Sequence, residues 1–205
     1  MAGTVPLAAS TVPHPRRPLD PVHDPVRHWY ENDLGWATVP APPGEPLRLV
    51  TGVRFDVLDV PAEAGAKALR HLVPGSPVAL RDGRMRLLVA AGSAEELPGL
   101  LAWLQWGAVA LDLRALGAGG RTDAPARPGR AEGPVEPVQG AAVWLRPPEA
   151  GREVEASLPT LSAVGGGGDA PDLVRLVETV ATECHRIRLR RAGRGPGNRQ
   201  ALASS

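Results

Sequence analysis

The chain has 205 residues, enough for one domain with a full hydrophobic core. Its net charge of +1 excludes a globally polycationic nucleic-acid binder and leaves room for a local patch. The lone cysteine, Cys184, excludes an intramolecular disulfide and a cysteine-based zinc site. Glycine (24) and proline (23) exceed a fifth of the residues and gather in the ends and in one long loop. Of 23 basic residues only Lys67 is a lysine, which reads as a coding bias, so an arginine by itself says less than usual about phosphate binding. No apolar run approaches the ~18 residues that span a bilayer. Residues 1–10 have no basic segment ahead of an apolar one, as a secretion signal requires. The expected location is the cytoplasm, without membrane contact.

In chain order, Pro6, Pro13, Pro15, Pro18 and Pro21 predict a disordered, Pro-rich arm over residues 1–23. Asp24-Pro25 predicts a helix start with Asp24 as N-cap, and Gly35 suits the position just past the helix end. Residues 36–39 and 47–51 read as short strands. Residues 54–60 predict the central strand, with Phe55, Val57 and Asp59 on one face and Asp56, Leu58 and Val60 on the other. Asp59 ends that strand just before Pro61 and has two readings. It is a carboxylate of a metal or phosphate site, or it is the N-cap of a helix predicted over 61–72. Within that helix Glu63 and Lys67 stand i,i+4 as a supporting pair.

Asp82-Gly83 between strand-like runs at 78–80 and 85–90 predicts a hairpin. Ser93-Ala94-Glu95-Glu96 reads as a capping box opening a helix with a Leu97, Leu100, Leu101, Leu104 stripe, ended by Gly107. Pro98 either bends its first turn or shifts its start, and Trp103 and Trp106 read as core or rim packing. A strand over 109–113 carries Asp112, a tight glycine turn covers 117–120, a surface loop 121–139 and a strand 141–145. The longest helix is predicted over 169–190. Its Leu173, Val177, Val180, Cys184 and Ile187 stripe either docks on its own domain or meets a protein partner. Beyond Glu183 there are no acids. Arg186, Arg188, Arg190 and Arg191, with a disordered basic tail over 192–205, therefore read as nucleic-acid contacts or as a solvated helix end that complements the helix dipole. The five histidines are scattered, and no Ser/His/Asp triad, P-loop or zinc spacing appears.

Four stretches occur in a telling order: Leu34-Gly35-Trp36-Ala37-Thr38-Val39-Pro40 after a helix; the strand over 52–60; Leu111-Asp112-Leu113-Arg114 with Gly119-Gly120 and Ala124-Pro125; and Val143-Trp144-Leu145-Arg146-Pro147-Pro148. The set resembles the bifunctional DNA primase/polymerase domain, an actinobacterial-type branch of the archaeo-eukaryotic primase superfamily. The resemblance implies a single α+β domain over 24–165, with a mixed, largely antiparallel central sheet flanked by helices; the amphipathic C-terminal helix over 169–191 lies beyond it and rests on its own periodicity. It also implies nucleotidyl transfer on Mg²⁺ or Mn²⁺ held by two carboxylates two positions apart on a strand and a third from a neighbouring strand. Asp59 matches the first acid and Asp112 the last, but the second acid falls on Pro61. Asp56 projects from the opposite face and is no replacement. Where the family has a phosphate-contacting His this chain has Arg86, which either grips a phosphate or lies on a solvated face beside Arg84. No spacing argument gives Glu63 or Asp123 a ligand role.

The expectation is a catalytically reduced primase/polymerase-like domain that binds nucleic acid or nucleotide. Arg84, Arg86, Gly119 and Gly120 are its phosphate-contact candidates, and Asp59 and Asp112 are its residual metal positions. Two alternatives stand beside it: an active nucleotidyltransferase with an atypical Mg²⁺ or Mn²⁺ site, and a non-catalytic protein-interaction module.

Overall fold

In a computed structural model the chain is described over residues 24–39, 45–129, 140–151, 153–161 and 171–193. The arm over 1–23, the tail beyond 193 and most of the loop over 121–139 lie outside the described residues. Asp24 accepts a hydrogen bond from the Arg27 N–H (2.9 Å) and caps helix α1 (Pro25–His28), as expected. The chain then widens into a π-helical turn, Trp29–Asp33, which turns Trp29 and Tyr30 into the core. Gly35 (φ +68°) reverses it.

Strands β1 (Thr38–Val39), β2 (Arg48–Val50) and β7 (Arg121–Asp123) form a small antiparallel sheet in that order. The larger sheet holds β3 (Asp56–Pro61), β4 (Val78–Arg81), β5 (Arg84–Val89), β6 (Arg114–Leu116) and β8 (Val143–Arg146), in the order β6-β3-β5-β4-β8. Every pairing within it is antiparallel. With helices α2 (Ala62–Ala68), α3 (Ser93–Trp103) and α4 (Leu173–Gly193), the fold is α+β. Among the described residues no helix is long and apolar enough to cross a membrane.

The expected alternation holds along β3. Leu58 and Val60 join Val78, Met85, Leu87 and Val89 under α2, α3 and α4, while Phe55, Val57 and Leu88 face Trp29, Tyr30, Trp36 and Leu49. The larger sheet is thus covered on one face by helices and on the other by α1 and the small sheet. The α4 stripe is spent on this body: Leu173, Val177, Val180, Cys184 and Ile187 are all buried in it. That face is closed to a protein partner. Asp82 (φ 48°) and Gly83 (φ 72°) form the two-residue hairpin turn with both residues left-handed.

Several local expectations are corrected. Pro61 remains in β3, paired with Arg84, so the first turn of α2 has no side-chain cap and Asp59 is not one. Proline is tolerated there because the Ala62 N–H bonds the Gly83 carbonyl (2.9 Å), turning the Pro61 nitrogen toward the side where β6 has already ended. Helix α2 is short and closes with a 3₁₀ turn, Leu69–His71. Glu63 pairs with Arg190 (2.6 Å), which is anchored on α4 where the sequence offered Lys67.

The capping box is also replaced. Gly92 (φ 93°) precedes α3, Ser93 is already helical, and the side-chain acceptor at this terminus is Asp56, which takes the Ala94 N–H at 2.9 Å. Helix α3 ends at Trp103, with Gln105 (φ 66°) the left-handed residue in place of Gly107. Trp103 is 69% exposed and contributes nothing to the core, whereas Trp106 packs against His185 with ring centroids 5.6 Å apart. Residues 109–113 form no strand; β6 starts at Arg114. Residues 121–123 form β7, where a loop was expected.

Asp56 is fully buried, and burial raises its carboxyl above the ordinary value, partly offset by the Ala94 N–H. The native state therefore holds a proton that the unfolded chain has already lost, and stability falls as pH rises from about 4 through the raised value. In Asp56→Asn that part of the pH slope should vanish from urea-unfolding free energies measured between pH 4 and 7. An unchanged slope would remove the assignment.

Candidate functional site

The sequence singles out the end of β3, and the register supplies its neighbours. Asp59 stands opposite Arg86 on β5 and opposite Arg114 on β6; Pro61 stands opposite Arg84. Residues paired directly across an antiparallel ladder share a face, so this carboxylate is ringed by arginines. Arg84 does most of the bonding. Its Nε donates to Asp59 Oδ1, its Nη2 to the Asp59 main-chain oxygen (2.9 Å), and its Nη1 to Asp112 Oδ1 (2.8 Å). One guanidinium therefore bridges the two acids that the sequence marked as metal positions.

Around that bridge the network widens. Arg86 Nε lies 3.5 Å from Asp59 Oδ2, a charge contact and not an aligned hydrogen bond, while its Nη2 donates to Asp123 Oδ2 (3.3 Å). Arg81 also pairs with Asp123, and Arg48 Nε stands 3.9 Å from it. Arg191, from the last turn of α4, lies 3.9 Å from Asp112. The centre is nearly dry: Asp59, Arg86 and Asp123 side chains are 14%, 13% and 15% exposed, and Asp112 at 40% is the wet edge. Burial works against the Arg84 charge, but the bonds to Asp59 and Asp112 outweigh it and hold the proton more tightly than usual. For Arg86 burial wins, with Asp59 opposing and Arg81 adding to it, and the affinity is lowered; its Nε and Nη1 are buried without a hydrogen-bond partner.

A divalent cation does not fit between Asp59 and Asp112 in this arrangement, because the space is filled by a cation already bonded to both. Among the described residues no group of three or more His, Cys, Asp or Glu side chains is placed to hold a metal ion. Asp59, Asp112, Arg84 and Arg86 are thus brought together, and Asp123 joins them. Glu63 does not, being paired with Arg190. The sequence carried one signal for Asp123. Arg81, Arg84 and Arg86 load one end of a hairpin with three cations, and a buried cation demands an acid from elsewhere.

The glycine turn sits at the other end of β3. Leu116 pairs with Val57, so Gly117 onward lies beyond Asp56, three residues or roughly 10 Å along the strand from Asp59. There the turn is clamped to residues 51–52. Thr51 Oγ1 donates to the Gly117 carbonyl (2.7 Å), the Thr51 N–H to the Gly120 carbonyl (3.1 Å), and the Gly120 N–H to the Gly117 carbonyl (3.0 Å). The Ala118 N–H donates to Glu95 (3.2 Å). Ala118 and Gly120 thus spend their donors on the fold, and Gly119 between them contributes a left-handed φ of +74°.

The four arginines near the end of α4 are exposed but each has a partner. Arg186 pairs with Glu183 (2.7 Å), Arg188 donates to the Ala110 carbonyl (2.8 Å), Arg190 meets Glu63 and Arg191 approaches Asp112. Beside them, between the 3₁₀ turn and α4, lies an open groove of about 460 Å³. Arg70, His71, Arg175, Thr179, Thr182 and Arg186 line it, with Glu178 and Glu183 on the same walls. His71 bonds Thr179 (2.8 Å), and its proton affinity is lowered by burial and then by Arg70 and Arg175. Sequence reading missed this groove because its basic residues come from segments a hundred residues apart.

Fold and site together define an α+β domain with an arginine-bridged carboxylate cluster at one end of its main sheet. No protein-family model matches the chain, and comparison with curated proteins and with solved structures finds no match.

Proposed function

We propose that the chain is a catalytically reduced, primase/polymerase-like domain that acts in the cytoplasm as a nucleic-acid or nucleotide-binding module. One observation carries the reduction: Arg84 bonds both Asp59 and Asp112, the acids a nucleotidyl-transfer site of that class would offer to its metal. Two-metal transfer needs carboxylate oxygens free to bridge ion and triphosphate. Here they are committed to a side chain that stays protonated at any physiological pH. The binding half of the proposal is supported by the groove beside α4, where Arg70, Arg175 and Arg186 stand together among Glu178 and Glu183.

A salt series tests it. Fluorescence anisotropy with a single-stranded oligonucleotide should show binding at 25 mM salt that weakens about 80-fold by 200 mM, the response of about three neutralised phosphates. Arg70→Glu combined with Arg175→Glu should lower the affinity and flatten the slope. Absence of binding at 25 mM salt would end the proposal.

A further inference from the structure

His71, at the end of the 3₁₀ turn, meets two hydrogen-bonding groups on one ring nitrogen. Arg70 Nε donates to His71 Nε2 at 3.1 Å, and Thr179 Oγ1 lies 2.8 Å from the same atom. A guanidinium accepts no hydrogen bond and keeps its protons at any physiological pH. His71 Nε2 therefore offers its lone pair, the Thr179 hydroxyl donates as well, and the imidazole proton sits on Nδ1. The arginines of the groove also differ in their partners. Arg175 pairs with Asp172 (3.4 Å) and Arg186 with Glu183 (2.7 Å), whereas Arg70 has no ion pair among the described residues. Its charge leans on a neutral ring, and both side chains line the groove.

We infer that nucleic-acid binding in this groove is proton-linked through His71: a phosphate seated against Arg70 accepts from it and from a doubly protonated His71, so a strand binds more tightly in mild acid. This rests on the reading of the groove as a phosphate-contacting surface and adds its regulation. In the empty groove a second ring proton is opposed. It sets donor against donor where Arg70 meets His71, places two cationic nitrogens 3.1 Å apart, and forces the Thr179 hydroxyl to turn round. Burial is the largest influence holding the His71 proton affinity down, followed by the Arg70 and Arg175 charges; Asp172 and Glu178 pull the other way without reversing it. Glu183 and Arg186 complete the charged lining and are paired with each other. A phosphate oxygen removes the opposition, because it accepts from both nitrogens at once and supplies the negative charge between them. The coupling is reciprocal, so what the anion does for the proton, the proton does for the anion by the same factor.

The test is fluorescence anisotropy of wild type and His71→Gln with the single-stranded oligonucleotide at 25 mM salt, at pH 7.5 and at pH 5.5. Wild type should bind about two- to fivefold more tightly at the lower pH, fivefold being the effect of one full unit charge about 4 Å from a phosphate in water. Glutamine offers Arg70 an acceptor but does not titrate, so in His71→Gln the ratio between the two pH values should fall to about one. A second readout needs no ligand: ¹⁵N NMR of the His71 imidazole in the free protein at pH 7.5 should show the proton on Nδ1 and a bare Nε2. Equal wild-type affinities at the two pH values, a pH dependence that survives His71→Gln, or a proton on Nε2 at pH 7.5 would each overturn the inference without touching the nucleic-acid reading. No binding at either pH would end both.

Discussion

Gly52→Ala is expected to destabilise the fold by about 3 kcal/mol or more, since it combines a strained left-handed backbone with a backbone-to-backbone clash. Gly52 has φ +85°, and a Cβ there would overlap the Ala118 Cα and stand 2.9 Å from the Gly117 carbonyl carbon. A side-chain rotation cannot relieve such contacts, because the atoms met are main chain of residues 117–118. The approach is needed: Thr51 and Gly52 are the seat of the 117–120 turn, and that turn sets where the chain leaves β6 and enters β7. Displacing it moves Asp123 away from Arg81 and Arg86. Gly119→Ala is the control, because φ is +74° there but nothing lies within 4 Å of an added Cβ, so only strain of about 1 kcal/mol is incurred. Urea midpoints of the two variants should differ accordingly. Equal losses would mean that the 51–52 and 117–120 segments are not clamped together.

Asp59→Asn should cost about 2 kcal/mol, although it changes no shape. The substitution removes the negative charge that Arg84 and Arg86 share, leaving the half-exposed Asp112 as the charged partner of Arg84 and Asp123 as that of Arg86. Removing one partner of a largely desolvated ion pair costs more than the pair's net worth, because the other charge stays behind; the partial exposure of Arg84 keeps the figure below that of a fully buried pair. This result separates two accounts of the same residue. Were Asp59 a helix cap, Asn would serve nearly as well and the loss would be a few tenths of a kcal/mol. A chemical-unfolding loss that small would contradict the arginine-bridged network.

What could be read from sequence follows from how local each signal is. The faces of β3, the Asp82-Gly83 hairpin, the Asp24 cap and the α4 stripe are written in adjacent or regularly spaced residues, and all four appear as expected. The misses have non-local causes. Ser93 loses its capping role to Asp56, 37 positions away, and Asp59 loses its own because Pro61 stays in a ladder whose other strand begins at Arg84. Arg84 and Arg86 were legible as cations on a hairpin, but not the register that lays them across β3. That register depends on which strand pairs with which, and a two-residue turn fixes only β4 against β5. Asp112 was legible as an acid near a glycine turn, but not as the second end of a bridge with Arg84.

The most direct measurement is anomalous scattering from crystals of the wild-type protein grown in MnCl₂. The Arg84 guanidinium should lie between Asp59 and Asp112, with no manganese peak bonded to either carboxylate. A manganese ion bound by both, with Arg84 turned out toward solvent, would contradict it.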